Sequence, residues 1–178
     1  MGNVATAIKT TEKDSTNKSN QMFINKVKIN NDGTASINFR TSCDNDTKEV
    51  YFQGKDGVTE EFKKIFQDTV DGLIGCIPLL SRDKNKIVMN AIKFDYGKDE
   101  FLKSALYSAK YAFNDQNNAV INLNTPPLPI YKEELENTFC ISGKDEDKLH
   151  EVIAKAKAYI NGETKTKQMK LVVDNSEK

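Results

Sequence analysis

His150 is the chain's single histidine, and the three cysteines are Cys43, Cys76 and Cys140. One histidine excludes a multi-histidine zinc centre and any HExxH-type hydrolysis. Cys140 precedes His150 by ten residues, a separation over which a thiol and an imidazole can meet. Nothing local activates that thiol, and the nearby acids Asp145, Glu146 and Asp147 would disfavour its thiolate, so the pair reads as incidental. The chain holds no Gly-x-x-x-x-Gly-Lys-[Ser/Thr] loop, no dinucleotide fingerprint and no Gly-x-Ser-x-Gly elbow. Gly54-Lys55-Asp56-Gly57 stands before a helix and could offer backbone amides to a phosphate. It reads more simply as the connection between a strand and that helix. The inventory therefore points to a protein that is not an enzyme, with no cofactor and no metal site expected.

Two groupings of charge carry more content. Around Asn31-Asp32-Gly33, Val27 and Ile29 alternate with Lys26 and Lys28, and Ile37 and Phe39 alternate with Asn38 and Arg40. With the apolar set facing a core, Lys26, Lys28 and Arg40 face solvent together with Tyr51 from a following strand. Basic residues interleaved with an aromatic ring on a sheet can hold single-stranded nucleic acid through phosphate contact and base stacking. The second grouping is acidic: Glu133, Glu134 and Glu136, then Asp145, Glu146 and Asp147. Such a stretch can imitate a nucleic acid or seat in a basic groove of a protein partner.

Those groupings sit in a chain of 178 residues with 26 basic and 26 acidic side chains and a formal net charge of zero. Neutrality argues against a general binder of duplex DNA, whose affinity comes mainly from neutralised phosphates. The hydrophobic fraction of 38% is modest but sufficient for one core. No apolar run approaches the ~18 residues that span a bilayer, so no membrane association is expected. The widely spaced cysteines suit a reducing cytoplasm. Arg40 and Arg82 are the only arginines among the 26 basic residues, a lysine bias that fits an AT-rich genome.

The elements that must position these residues follow from periodicity. Residues 1–20 are polar and aperiodic, a disordered arm. The alternation around Gly33 predicts a hairpin, and Lys48–Gln53 extends it as a third strand. Phe62, Ile65, Phe66, Val70 and Leu73 recur at helical spacing behind a Thr59 N-cap, with Pro78 as the stop. A polar turn at Ser81–Lys86 leads to a strand at Ile87–Tyr96. Phe101–Phe113 fits both a helix and a strand; its setting between strands and polar turns favours strand. Ala119–Asn124 is a further strand, ended by Thr125-Pro126-Pro127-Leu128-Pro129, which cannot continue a central ladder. Tyr131–Gly143 reads as a loop. Asp145 caps a last helix whose buried stripe is Leu149, Val152, Ile153, Ala156, Tyr159 and Ile160, ended by Asn161-Gly162. Residues 164–178 form a polar tail with room for an edge strand at Lys170–Val173. The expected fold is α+β, a mostly antiparallel sheet of order β-β-β-α-β-β-β-α over residues 21–163, with the helices packed on one face.

Three short segments, Phe94-Asp95-Tyr96-Gly97, Asn122-Leu123-Asn124-Thr125-Pro126 with Leu128-Pro129, and Ala158-Tyr159-Ile160-Asn161-Gly162 with Gln168, make Val88–Gln168 resemble small accessory proteins of phages and prophages of low-GC bacteria. The resemblance implies a viral accessory factor acting in the host cytoplasm, outside the virion, with no assigned catalytic residues. By that analogy the leading expectation is an inhibitor of a host antiviral defence factor, which covers a host protein or sequesters a nucleotide signal. The acidic set from Glu133 to Asp147 would then be the partner-binding face. The alternative is an accessory of phage replication or recombination that binds single-stranded nucleic acid through Lys26, Lys28, Arg40 and Tyr51.

Overall fold

A computed structural model of the chain describes residues 21–43, 46–113, 119–130 and 140–165. Alternation sets the first half of the sheet. β1 (Gln21–Ile29) and β2 (Ala35–Cys43) pair antiparallel, with Val27 opposite Ile37 and Ile29 opposite Ala35. Gly33 takes the positive φ of 82° that closes the hairpin. The Asp32 carboxylate accepts from the Thr34 N–H at 2.9 Å and from its hydroxyl at 2.7 Å, which holds that carboxyl below its ordinary range. β3 (Asp46–Gln53) pairs with β2 and puts Phe52 on the same inner face as Ile37, while Val50, opposite Phe39 at the sheet edge, stays exposed.

Beyond the helices, β4 (Ile87–Tyr96), β5 (Leu102–Ala112), β6 (Val120–Asn124) and the two-residue β7 (Leu128–Pro129) complete the sheet. Its order is β3-β2-β1-β4-β5-β6, with β7 also on β5, and every pairing is antiparallel. The ambiguous 101–113 segment is thus a strand. From Ala105 on, Ala105, Tyr107, Ala109 and Tyr111 are buried, a period of two that leaves Leu106 and Lys110 on the other side. Pro126, Pro127 and Pro129 at the end of the 119–129 segment lack N–H groups, which leaves only the short β7 pairing there.

The helical layer differs from the expected single helix. α1 (Glu60–Asp68) starts at Thr59, whose Oγ1 accepts from the Phe62 N–H at 3.1 Å, and Glu60 and Glu61 lie in its first turn. At Thr69 the chain turns; the Thr69 hydroxyl donates to the Phe66 carbonyl at 2.7 Å, and α2 (Val70–Cys76) begins. The bond back to Phe66 O competes with continuing the helix, which the apolar spacing alone does not reveal. Pro78 opens a 3-10 segment, Pro78–Lys86, where a polar turn was expected. α3 (Gly143–Ile160) is capped at Ser142, three residues before the expected Asp145, and buries Leu149, Val152, Ile153, Ala156 and Tyr159. Thr164 remains buried, and the Lys165 N–H donates to the Gly57 carbonyl at 3.0 Å, so the fold continues two residues into the expected tail. The 1–20 arm and the Lys170–Val173 strand lie outside the described residues.

All three helices cover one face of the sheet. Phe62 and Phe66 of α1, Leu73 of α2 and the α3 stripe form one core with Ile24, Val27, Ile37, Ile92 and Tyr107 of the strands. Each such large side chain contributes about 1.5–3 kcal/mol by leaving water. Tyr159 joins the layers. Its ring meets Phe52 edge-on at 5.8 Å, and its hydroxyl accepts from the Ala35 N–H at 3.3 Å and donates to the Asp56 carbonyl. A Cβ at Gly54 would overlap that hydroxyl. Gly54 is therefore a packing residue of the strand-to-helix connection, as that reading of Gly54–Gly57 requires.

Candidate functional site

The face opposite the helices is set by the same registers. Tyr51 lies opposite Asn38, Asn38 opposite Lys26, and Lys26 opposite Lys93, so four side chains from β3, β2, β1 and β4 form one row across the sheet. Strands lie about 4.8 Å apart, so the row spans about 14 Å. Around it lies a depression of about 450 Å³, with Glu49 and the bulged Asn25 on its rim. Tyr51 is 63% exposed, a phenol standing in solvent without ring contacts among the described residues.

The Lys26–Lys93 neighbourhood is electrostatically unfavourable in the free protein. Like charges directly opposite each other on antiparallel strands destabilise the sheet. Neither lysine makes an ion pair among the described residues, whereas Lys63, Lys84, Lys86, Lys148, Lys155 and Lys165 all do. Two unpaired ammonium groups, an amide and an exposed ring in one row can take an anion and a planar base together.

The other basic residues are placed differently. Lys28 is exposed on the next outward position of β1, opposite Ser36. Arg40 shares the face, but its guanidinium lies 4.8 Å from the Phe23 ring centre and 5.7 Å from that of Tyr96. Phe23 and Tyr96 themselves pack edge-on at 5.4 Å, and the Tyr96 hydroxyl donates to the Ile24 carbonyl at 3.0 Å. Burial pushes that phenol up to about 12. Arg40 is thus stacked as the cover of a small aromatic cluster, with its planar group engaged by cation–π contacts.

The acidic set does not come together as one patch. Glu133, Glu134 and Glu136 lie outside the described residues. Asp145 and Glu146 lie in the first turn of α3, and Asp147 follows them. Asp145 accepts from the Ser142 hydroxyl at 2.8 Å and pairs with Lys148 at 3.2 Å; Lys148 also pairs with Asp71 at 2.9 Å, and Asp71 with Lys84 at 2.5 Å. This chain of ion pairs ties α3 to α2, and hydrogen bonding from Lys84, aided by Lys148, holds the Asp71 carboxyl below its ordinary range. Asp147 is exposed, and Glu146 stands 3.6 Å from His150. Cys140 is half-buried beside the Ile130–Ile141 bridge, and exposed His150 faces Glu146. No group of three or more His, Cys, Asp or Glu converges among the described residues.

Lys93 and Asn38 are the site residues that sequence reasoning left out. Both were marked by alternation, Lys93 between Ile92 and Phe94, Asn38 between Ile37 and Phe39. What no local pattern gives is that β4 lies beside β1, which alone brings Lys93 to Lys26. No helix among the described residues is long and apolar enough to cross a membrane. No family model, curated protein or solved structure matches the chain.

Proposed function

We propose that this chain is a non-enzymatic binding protein that takes single-stranded nucleic acid, or a nucleotide derived from it, across the helix-free face of its sheet. The observation that carries the reading is the Tyr51–Asn38–Lys26–Lys93 row. A base stacks on the Tyr51 ring, Asn38 hydrogen-bonds its edge or the sugar, and the two lysines take the following phosphates. A row of this span suits two or three nucleotides, as on other open sheets that stack bases. Bound phosphate also relieves the Lys26–Lys93 repulsion. Lys28 extends the phosphate track along β1, and Arg40 supports it from its seat on Phe23 and Tyr96.

In a cell this activity fits an accessory factor of phage or prophage origin in the host cytoplasm, acting on replication intermediates or sequestering a nucleotide signal used by host defence. A protein partner at the start of α3 is a second reading with one observation in its favour: Glu146 and Asp99 flank a depression beside Phe101, which is 74% exposed. That reading predicts that Glu146→Lys abolishes capture of a host protein.

The test of the first reading is Tyr51→Ala with a fluorescent oligothymidylate. Loss of one stacked base costs about 1–3 kcal/mol, a five- to 150-fold weaker complex, roughly. An unchanged affinity with an intact circular dichroism spectrum contradicts it.

A further inference from the structure

The sheet ends in two unlike edges. β3 carries Lys48 and Glu49 along its length, the charged dressing by which exposed edges resist pairing. β6 reads Val-Ile-Asn-Leu-Asn, with no charge, proline or glycine, and pairs on one side only among the described residues. Val120 is 52% and Ile121 45% exposed, and Phe113, whose N–H donates to the Ala119 carbonyl, is exposed as well.

The ladder fixes which backbone groups point outward. The Phe113 N–H donates to the Ala119 carbonyl and the Thr125 N–H to the Tyr107 carbonyl, so the bonded pairs with β5 alternate through Ile121 and Leu123. Val120, Asn122 and Asn124 therefore direct their N–H and C=O groups away from the sheet.

We propose that β6 is a self-association edge, which pairs antiparallel with β6 of a second copy of this chain about a two-fold axis at Asn122. In that register Asn122 meets its counterpart and Val120 meets the partner's Asn124, so outward groups meet outward groups and each such pair exchanges both backbone bonds. Ile121 and the partner's Leu123 form the closely spaced, non-bonded pair, with both side chains on the helix side. The strand is complementary to itself in hydrogen bonding, in apolar contact and in the Asn122 amides, which can bond each other. A net charge of zero adds no repulsion between copies. The pairing continues the sheet, so the helix-free faces of both copies lie on one side; it does not depend on whether that face binds nucleic acid. Five-residue strands make a small interface, so the dimer dissociates in the micromolar range.

Sedimentation equilibrium of the full chain, without nucleic acid, from about 1 to about 300 µM tests this by mass action. The weight-average mass rises from the 20.0 kDa of one chain toward twice that value. Ile121→Lys, which sets an ammonium against the partner's Leu123, stays at the single-chain mass throughout. Asn122→Pro, which removes an outward N–H but none of the β5–β6 bonds, does the same. Val50→Lys on the opposite edge associates like the wild type. A wild type that stays monomeric over the range, or association that survives Ile121→Lys in a folded protein, overturns the proposal. Loss of association in Val50→Lys overturns the assignment to β6. If Asn122→Pro fails to fold, the contrast between Ile121→Lys and Val50→Lys decides alone.

Discussion

Replacing Lys93 with glutamine removes one of two like charges that face each other across β1 and β4. Opposed residues stand with Cβ atoms about 4.5–5.5 Å apart, and unit charges separated by about 6–8 Å in a water-like dielectric repel by about 0.5–0.7 kcal/mol. Lys93→Gln therefore stabilises the free protein by about 0.5 kcal/mol at low ionic strength, and by less as salt screens the pair. For a chain of this size that gain raises Tm by about 1–2 °C. The same substitution deletes a phosphate contact, so the slope of log affinity against log salt for a single strand shrinks by about 0.7. Urea denaturation at low and high salt reads the first effect, and oligonucleotide titration over a salt series reads the second. A site kept for binding at the expense of stability must show both. If Lys93→Gln destabilises the fold at low salt, or binds oligonucleotide with the wild-type slope, the reasoning from the lysine pair is refuted.

Two further outcomes come from the buried tyrosines. The Tyr107 hydroxyl is fully buried and lacks a hydrogen-bond partner among the described residues, so Tyr107→Phe is neutral or stabilising by about 1 kcal/mol in chemical denaturation; a clear loss would mean that the hydroxyl is bonded. Burial raises the Tyr96 phenol from 10.0 to about 12 in the folded chain. Above pH 10 the unfolded phenol ionises while the folded one stays protonated, so stability present below pH 10 is lost progressively up to about pH 12. Tyr96→Phe, measured beside the wild type by denaturation across that window, removes part of this slope; an unchanged slope would contradict the assignment.

Much of the fold could be read locally because it is written in short periods. The hairpin around Gly33, the Thr59 cap and the α3 stripe each depend on residues within one or two turns of one another. The 101–113 segment shows the limit. Ala, Leu and Lys favour helix intrinsically, yet Tyr107 and Tyr111 are needed on one face of the sheet, and tertiary burial overrides propensity. The break at Thr69 rests on one hydroxyl–backbone bond that leaves no periodic trace, and the start of α3 at Ser142 has no side-chain cap bond to mark it over Asp145. At Gly72 a Cβ would stand 2.7 Å from the Tyr107 hydroxyl, so the glycine makes room for a strand side chain 35 residues later, a role no local pattern marks. The candidate site was half legible for the same reason. Lys26, Lys28 and Tyr51 follow from alternation, but the adjacency of β1 and β4, and the stacking of Arg40 on Tyr96, are long-range facts. The six carboxylates suggested one face because they are close in sequence, and Asp145 instead serves the joint between α2 and α3.

The most direct measurement is the affinity of the wild-type chain for a short oligothymidylate as a function of salt. Two to three lysine–phosphate contacts predict binding at low salt whose logarithm falls with log salt at a slope of about −1.5 to −2. No binding at low salt, or binding that salt does not weaken, would contradict the assignment of the helix-free sheet face.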